Sequence, residues 1–382
     1  MKKIITVFSL AMLWGFQTFS QAFIINHNST KILQIPEAAI ETAKQNLHIA
    51  YGHTSHGSQL IFGMNDLIAF MNGNGYTNNL YAWNNGGTDG ALDLHDEAMS
   101  GDVGYYPDWV NNTRSYLGDP DPETGRGTGE NEDVNVIIWS WCGQVASQSE
   151  SSMISNYLAP MTELEADYPG IKFVYMTGHL DGSGASGNLN LRNEQIRAYC
   201  NDNNKILYDF ADIESYDPDG ETDYMALMAN DNCDYDSDDN GSLDKNWATE
   251  WQNSHAVDTD WYECYAAHSQ ALNGNLKAYA AWWLWASIAG WNQGTGISTG
   301  EQNSPVVSVF PNPSNGKLMV TAENSSINTI EIYNLMGAKV FYSTDIIPLS
   351  TKEIDLYGLA NGIYVIKIYG GAKIYTKKIV IQ

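Results

Sequence analysis

The chain has 382 residues, a length that suits two domains better than one. Hydrophobic residues make up 43% and charged residues 17%, a globular balance that argues against a disordered polymer or a coiled coil. The formal net charge is −26. Because so acidic a surface repels phosphate, nucleic acid and anionic membranes are excluded as the main partners.

The chain begins with the residue order of a secretory signal peptide. Lys2 and Lys3 precede an apolar run over residues 4–16, and polar residues then lead to the small Ala22. This run, like a second apolar stretch over residues 278–290, is shorter than the ~20 residues that a membrane helix needs. We therefore expect residues 1–22 to direct export of a protein without a transmembrane segment, secreted or held at the cell surface.

Between residues 23 and 295, strand patterns alternate with helix patterns. Short apolar runs predict strands over residues 47–51, 80–83, 134–139, 172–176 and 206–210. Apolar residues at helical spacing predict helices over residues 36–46, 60–71, 153–164, 190–203 and 275–289. The alternation predicts an α/β domain with a doubly wound parallel sheet, whose active site lies at the carboxyl ends of the strands.

The pattern changes after this region. Residues 296–303 have the Gly-, Ser- and Thr-rich composition of a linker. Residues 304–382 then alternate short strand patterns with turn residues, which predicts a small all-β, immunoglobulin-like sandwich. Its predicted strands are residues 306–310, 318–321, 329–333, 339–342, 353–356, 363–368 and 372–381.

Four blocks of this last segment carry a resemblance to a known family. They are Phe310-Pro-Asn-Pro-Ser-Asn-Gly316, Ile330-Glu-Ile-Tyr-Asn-Leu-Met-Gly337, Leu359-Ala-Asn-Gly-Ile-Tyr364 and Lys377-Lys-Ile-Val-Ile381. In this order they resemble the C-terminal sorting domain of type IX secretion cargo in Bacteroidetes. The resemblance implies export through the periplasm and the outer membrane, with the type IX machinery as partner. An ordinary carbohydrate-binding sandwich is the alternative.

Polar residues follow the predicted strands of the first domain. Ser55 lies in the turn Gly52-His-Thr-Ser-His-Gly57, between a buried strand and an amphipathic helix. Its hydroxyl is a candidate nucleophile, because the free N–H groups at a helix start stabilise an oxyanion. His268, ahead of the last predicted helix, is a candidate general base. The alternative role for Ser55 is helix capping.

The order of these residues gives a second resemblance. A serine after the first strand, a Gly-rich turn, a polar residue after a later strand and a histidine before the last helix resemble the SGNH (GDSL-type) hydrolases. That family has an SGNH/flavodoxin-like sheet and contains esterases and deacylases. The resemblance implies a catalytic set of Ser55 as nucleophile, Gly86 or Gly87 as oxyanion donor, Gln144 as a second donor and His268 as base.

Three features depart from the family pattern. The nucleophile motif is Gly-His-Thr-Ser-His-Gly rather than Gly-Asp-Ser, and the third block, which ends at Gln144, lacks the Asn-Asp of the family. Tyr265 stands where the family keeps its acid. Asp260 therefore becomes the candidate acid; the alternatives are Glu263 and a site without an orienting acid. The implied function is a secreted serine esterase or deacylase without an organic cofactor, acting on an acylated polysaccharide or another extracellular ester.

The same region supports two further hypotheses. His53, His56 and His179, beside Asp181, offer ligands for zinc or manganese, as in a metal-dependent hydrolase or a polysaccharide lyase. A non-catalytic glycan-binding protein is the other alternative, because tryptophan rings stack on sugars, although most of these rings are expected in the core. The tryptophans concerned are Trp247, Trp251, Trp261, Trp282, Trp283, Trp285 and Trp291.

Residues 234–244 have the spacing of a calcium-binding loop. Oxygen-bearing side chains occur at alternate positions, and Gly241 takes the sixth position counted from Asp236. The candidate calcium ligands are Asp234, Asp236, Asp238, Asn240 and Asp244. Trp247 replaces the glutamate expected at the twelfth position, so a solvated acidic loop is the alternative.

The chain contains four cysteines, Cys142, Cys200, Cys233 and Cys264. In an exported protein an even number predicts two disulfides. We favour a Cys233–Cys264 pair, because it ties the acidic loop to the segment that carries His268. Cys142 ends an apolar run and is alternatively a buried free thiol.

Overall fold

The computed structural model describes residues 23–76, 78–291, 306–310, 314–323, 327–334, 338–349, 351–370 and 373–381. The chain divides into two compact units, Met1–Trp291 and Asn292–Gln382. The predicted signal peptide and the predicted linker at residues 296–303 lie outside the described residues. Within the described ranges, no helix combines the length and the hydropathy that a bilayer span requires.

A seven-stranded parallel sheet forms the centre of the first unit, in the order β1-β7-β6-β5-β2-β4-β3. The strands are β1 (Phe23–Ile25), β2 (His48–Gly52), β3 (Trp83–Asn84), β4 (Leu92–Met99), β5 (Val136–Trp139), β6 (Lys172–Met176) and β7 (Ile206–Tyr208). The predicted α/β class is therefore confirmed. The run at residues 80–83 contributes only its last residue to a strand, and β4 was not predicted because acidic residues interrupt its apolar pattern.

Helices cover this sheet in two groups, with α1, α2 and α9 packed together and with α3 against α5 and α4 against α6. The helices of the first unit are α1 (Glu37–Asn46), α2 (Ser58–Gly73), α3 (Asp108–Leu117), α4 (Glu150–Met153), α5 (Ala159–Asp167), α6 (Asn188–Asp202), α7 (Phe210–Ile213), α8 (Trp247–Ser254) and α9 (Ala271–Ile288). One π-helical turn, Ile154–Leu158, joins α4 to α5. Five of the tryptophans considered for glycan binding belong to the buried core: Trp247, Trp261, Trp282, Trp283 and Trp285.

The strand order creates a crevice at one point of the sheet. β2 has β4 on one side and β5 on the other, whereas β5, β6 and β7 follow one another in chain order. The chain direction across the sheet therefore reverses between β2 and β5, and ligands of such sheets bind there at the carboxyl ends. Gly52 pairs with Trp139 at these ends, so the two following loops begin level with each other. A Cβ atom at Gly52 would lie 2.4 Å from the Trp139 ring, which requires glycine.

A two-stranded antiparallel ribbon of β8 (Asp234–Tyr235) and β9 (Lys245–Asn246) precedes α8. The acidic loop noted in the sequence is the connection between these two strands.

The second unit is all-β, as predicted, with two antiparallel sheets in the orders β10-β11-β14 and β13-β12-β15-β16. One hydrophobic core contains Leu318 and Ile354 of the first sheet and Ile330 and Ile366 of the second, so the two sheets face each other. Its strands are β10 (Val306–Phe310), β11 (Lys317–Glu323), β12 (Ile327–Asn334), β13 (Lys339–Leu349), β14 (Thr351–Asp355), β15 (Gly362–Gly370) and β16 (Lys373–Ile381).

All four cysteines are free thiols, so the prediction of two disulfides is wrong. The Cys233 sulfur lies 3.4 Å from Ser269 Oγ, and the Cys264 sulfur lies 3.3 Å from the Ala271 carbonyl oxygen. Burial raises the pKa of both thiols to about 12. Cys200 is completely buried in the core. An even number of cysteines therefore does not by itself predict disulfides, because pairing depends on which side chains meet in the fold.

Candidate active site

The loop between β2 and α2 is compact and leaves no room for larger residues. The Tyr51 hydroxyl donates a hydrogen bond to the Gly57 carbonyl oxygen at 3.0 Å. A Cβ atom at Gly57 would lie 2.3 Å from Ser140 Oγ, in the loop after β5. Glycine therefore allows the two loops to touch, and His56 of the first loop meets Cys142 of the second.

His56 connects a thiol to a carboxylate. Its Nδ1 lies 3.2 Å from Cys142 Sγ, and its Nε2 lies 3.0 Å from Asp231 Oδ2. Because an ionised carboxylate only accepts hydrogen bonds, Nε2 carries the ring hydrogen and Nδ1 presents its lone pair to the thiol. A thiol, an imidazole and a carboxylate in this order have the arrangement of nucleophile, base and orienting acid.

The surroundings favour a neutral imidazole beside an ionised carboxylate. Burial lowers the pKa of His56, and the nearby His179 lowers it further, while the hydrogen bond to Asp231 opposes both effects. Burial by itself would raise the pKa of Asp231, but the hydrogen bond from His56 and the two imidazoles outweigh it, so this pKa is lowered. At neutral pH His56 is thus able to accept a proton.

Two more histidine rings stack on His56. The His179 ring lies 3.7 Å away, centre to centre, at an interplanar angle of 2°, and the His268 ring lies 4.5 Å away at 21°. Nδ1 of His179 is 2.7 Å from the Leu180 carbonyl oxygen, which places its hydrogen there and its lone pair on Nε2. Among the described residues, this buried Nε2 atom has no hydrogen-bond partner.

One nitrogen from each of His56 and His179 and one oxygen from Asp231 lie within 4.8 Å of one another. The metal hypothesis therefore acquires a different ligand set from the one the sequence suggested. His53 instead bonds Asp96 through Nε2 at 2.7 Å, and Asp181 accepts the Ser183 N–H at 3.0 Å. The sequence did not identify Asp231, although it lies three residues ahead of the acidic loop.

The structure places Ser55 at the site but not with the predicted base. Ser55 is exposed, and its hydroxyl lies 3.6 Å from Cys142 Sγ. Within the described part of the chain, His268 makes no hydrogen bond with Ser55, Asp260 or Glu263. Asp260 accepts the Ala256 N–H at 2.9 Å instead. The residues of the predicted serine triad are therefore not joined as nucleophile, base and acid.

The two predicted oxyanion donors are engaged elsewhere. Gln144 Oε1 accepts the Cys142 N–H at 3.1 Å, and its Nε2 donates to Asp102 at 3.2 Å, so Gln144 fixes the loop that carries the thiol. The Gly86 N–H donates to Asp93 Oδ1 at 2.7 Å, beside the amino end of β4. Because the site lies at the carboxyl ends, this placement corrects the assignment of Gly86. The error arose because β4, and not β3, is the strand beside β2.

The acidic loop between β8 and β9 is folded around Asp236. This buried carboxylate accepts the backbone N–H groups of Asp238, Asn240 and Gly241 at 3.3, 3.2 and 2.7 Å. Asp244 accepts two hydrogen bonds from Ser237. Asp234 is held outside the loop, by the side-chain amides of Asn232 and Asn246. Asp238 and Asn240 remain exposed, so their oxygens are accessible to a cation from solvent.

Comparison with known proteins identifies the second unit. Residues 308–382 match the family model of the secretion system C-terminal sorting domain. The protein is therefore exported, and it is secreted or attached to the cell surface. A comparison with curated proteins gives no significant match.

Solved structures give remote likenesses. The CBM51-2 and INT domains of Clostridium perfringens ZmpB are 18% identical over 17% of this chain and 16% of theirs, with a TM-score of 0.14. A Cellulomonas fimi endo-beta-1,4-mannanase double mutant is 10% identical over 77% of this chain and 54% of its own, with a TM-score of 0.20. The chain spans less than two thirds of the length of either. TM-scores this low do not show a shared fold.

Proposed function

We propose that the first unit is a secreted acyl hydrolase that uses Cys142, and not Ser55, as its nucleophile. The observation that carries this proposal is the position of His56, which contacts both Cys142 Sγ and Asp231 Oδ2. The substrate class expected from the sequence, an acylated polysaccharide or another extracellular ester, is retained. The strand order and the site at the reversal point support the SGNH resemblance, which we retain as a proposal for the fold family.

The reaction follows from the hydrogen bonds of His56. Nδ1 takes the thiol proton as Cys142 Sγ attacks the acyl carbon, and the ester C–O bond breaks to leave a thioester. The protonated imidazole gives its proton to the departing alkoxide. His56 then takes a proton from water, which attacks the thioester and releases the acid and the thiol. Asp231 holds the ring orientation and stabilises its positive charge during each transfer.

The exposure of the site supports a large substrate. Ser55 and His268 are both exposed beside the buried His56, so the thiol is reached from the protein surface. Tyr265, which is 64% exposed, makes an edge-to-face contact with Phe62 at 5.0 Å. The exposed Tyr265 ring, three residues before His268, offers an apolar surface on which a sugar ring can stack.

We also propose that the loop over residues 236–244 binds calcium as a structural ion. Support comes from the alternate oxygen-bearing residues and from the folding of the loop around Asp236, which leaves Asp238 and Asn240 open to solvent.

The nucleophile is tested by comparing two alanine variants of the exported protein on p-nitrophenyl acetate and on acetylated glycans, with chelator present. We expect Cys142→Ala to reduce kcat by at least ~10³-fold, because losing the nucleophile removes covalent catalysis. Ser55→Ala removes a hydroxyl of similar size at the same site and is expected to change kcat by less than about tenfold.

Two further readouts complete this experiment. Acylated Cys142 is expected in the mass spectrum of protein quenched during turnover. Loss of activity in Ser55→Ala, with activity kept in Cys142→Ala, would overturn the cysteine assignment in favour of the serine esterase.

A further inference from the structure

We propose that His56, His179 and Asp231 form a binding site for a divalent transition metal of the zinc class, and that the bound metal inhibits the hydrolase. The inhibitory role rests on the proposed function, whereas the metal site rests only on the three side chains. The proposal differs from a metal-dependent hydrolase. Here the metal binds the imidazole of His56, which is the general base, and does not activate water.

The positions of the donor atoms support a metal site. One donor atom from each residue lies within 4.8 Å of the other two. Because an imidazole lone pair lies in the plane of its ring, a single ion contacts all three only after the parallel His56 and His179 rings tilt towards each other. His179 is already in the required tautomer, because its Nδ1 hydrogen is directed to the Leu180 carbonyl oxygen at 2.7 Å. Such a hydrogen bond on the remote nitrogen is the usual support for a histidine that binds a metal.

His179 also provides the independent sign of a missing ligand. Its Nε2 atom is buried, carries the lone pair and has no partner among the described residues. A buried polar atom without a partner destabilises the folded state, because it has lost its hydrogen bonds to water. A cation at this position would remove that destabilisation.

The ligand types select the class of metal. Two imidazoles and one carboxylate suit zinc and neighbouring divalent ions, and a set of three protein ligands leaves a position open to water. The Cys142 sulfur faces Nδ1 of His56, on the other side of the ring from the Nε2 that would bind the metal. The thiol is therefore not expected to be a ligand.

Inhibition follows from metal binding to the His56 ring. A metal on Nε2 of His56 needs the lone pair there, so the ring hydrogen moves to Nδ1 by exchange with water and Asp231 turns from hydrogen bonding to coordination. Nδ1 then faces Cys142 Sγ as a donor. It has no lone pair left for the thiol proton, so the first step of hydrolysis is blocked.

The site is tested by titrating the chelator-treated exported protein with Co²⁺ and recording its visible absorption. We expect one bound Co²⁺, without the near-ultraviolet charge-transfer band that a thiolate ligand produces. His179→Asn is expected to weaken binding at least ~10-fold, because it removes Nε2, although an amide can still donate to the Leu180 carbonyl. His268→Ala is the matched control, since it deletes the other stacked imidazole and no proposed ligand.

The inhibitory role is tested with Zn²⁺ and the ester substrates. Stoichiometric Zn²⁺ is expected to reduce the rate of hydrolysis at least ~10-fold, and chelator is expected to restore the rate. The His179→Asn variant is expected to need at least ~10-fold more Zn²⁺ for the same inhibition. Absence of Co²⁺ binding, a thiolate band, or equal losses in His179→Asn and His268→Ala would overturn the site. Activation by Zn²⁺ would overturn inhibition. Absence of hydrolysis in every form would overturn the proposed function and the inhibitory role, while the Co²⁺ titration would still decide the site.

Discussion

Glu214 and Lys277 form an ion pair that is enclosed within the first unit. Glu214 Oε2 lies 2.9 Å from Lys277 Nζ, and the two side chains are 1% and 0% exposed. The other Glu214 oxygen accepts the N–H of Leu180, the residue after His179. Burial lowers the pKa of Lys277, and the Glu214 carboxylate opposes that shift. The pair thus ties α9 to the loop that carries one of the stacked histidines.

Removal of this lysine is expected to destabilise the first unit strongly. Lys277→Met should lower the free energy of unfolding by about 3–5 kcal/mol, because the Glu214 carboxylate stays buried without its cation. Denaturation followed by tryptophan fluorescence measures this unit selectively, since all 12 tryptophans precede residue 292. The control is Lys245→Met, which removes one member of a surface pair that is 48% exposed on both sides. Equal losses in the two variants would contradict the expectation.

Only one of the four cysteines is expected to react readily with an alkylating reagent in the folded protein. Burial raises the pKa of Cys233 and Cys264 to about 12 and raises that of Cys200 as well, so these thiols stay protonated in mildly alkaline buffer. Cys142 is half-buried at the site. Iodoacetamide at about pH 8.5 should therefore label Cys142 first, because the thiolate is the reactive form.

Peptide mass spectrometry before and after unfolding measures this difference. All four cysteines should be labelled once the protein is unfolded. Rapid native labelling of Cys200, or a peptide containing a disulfide, would contradict the free, protonated thiols of the folded chain.

Asp231 is expected to contribute to turnover through His56. Asp231→Asn should reduce kcat by on the order of 10²–10⁴, because an amide no longer selects the tautomer that presents the Nδ1 lone pair to the thiol. Esterase assays on the chelator-treated protein measure the effect. Asp239→Asn makes the same change on an exposed residue of the acidic loop, and its kcat should stay near that of the unaltered protein. A similar kcat in both variants would contradict the role given to Asp231.

Calcium is expected to stabilise the first unit through the acidic loop. At a free calcium concentration 100 times the dissociation constant, the gain should be about 2.7 kcal/mol, and chelation should remove it. Asp238→Ala should abolish the calcium-dependent shift of the unfolding midpoint, whereas Asp239→Ala, the adjacent exposed residue, should keep it. A midpoint that does not respond to calcium would identify a solvated acidic turn.

The central strands could be predicted because each is covered on both faces. Val136–Trp139 is buried at every position, and a strand with two buried faces must be apolar throughout. β4 escaped prediction because Asp93, His95 and Asp96 interrupt its pattern. These residues find partners that periodicity does not reveal, such as His48 for Asp93 and His53 for Asp96.

The sequence by itself determined the export signal of the second unit, the α/β class and the presence of histidines and a cysteine at the strand ends. Those features depend on local order and on residue type. Only the tertiary structure decided that His56 meets Cys142 and Asp231, that His268 stacks on His56 instead of joining Ser55, and that the cysteines stay apart. The physical reason is that a hydrogen bond requires two side chains to meet at about 3 Å, and residues 175 positions apart in the chain, as His56 and Asp231 are, meet only through the packing of the whole unit.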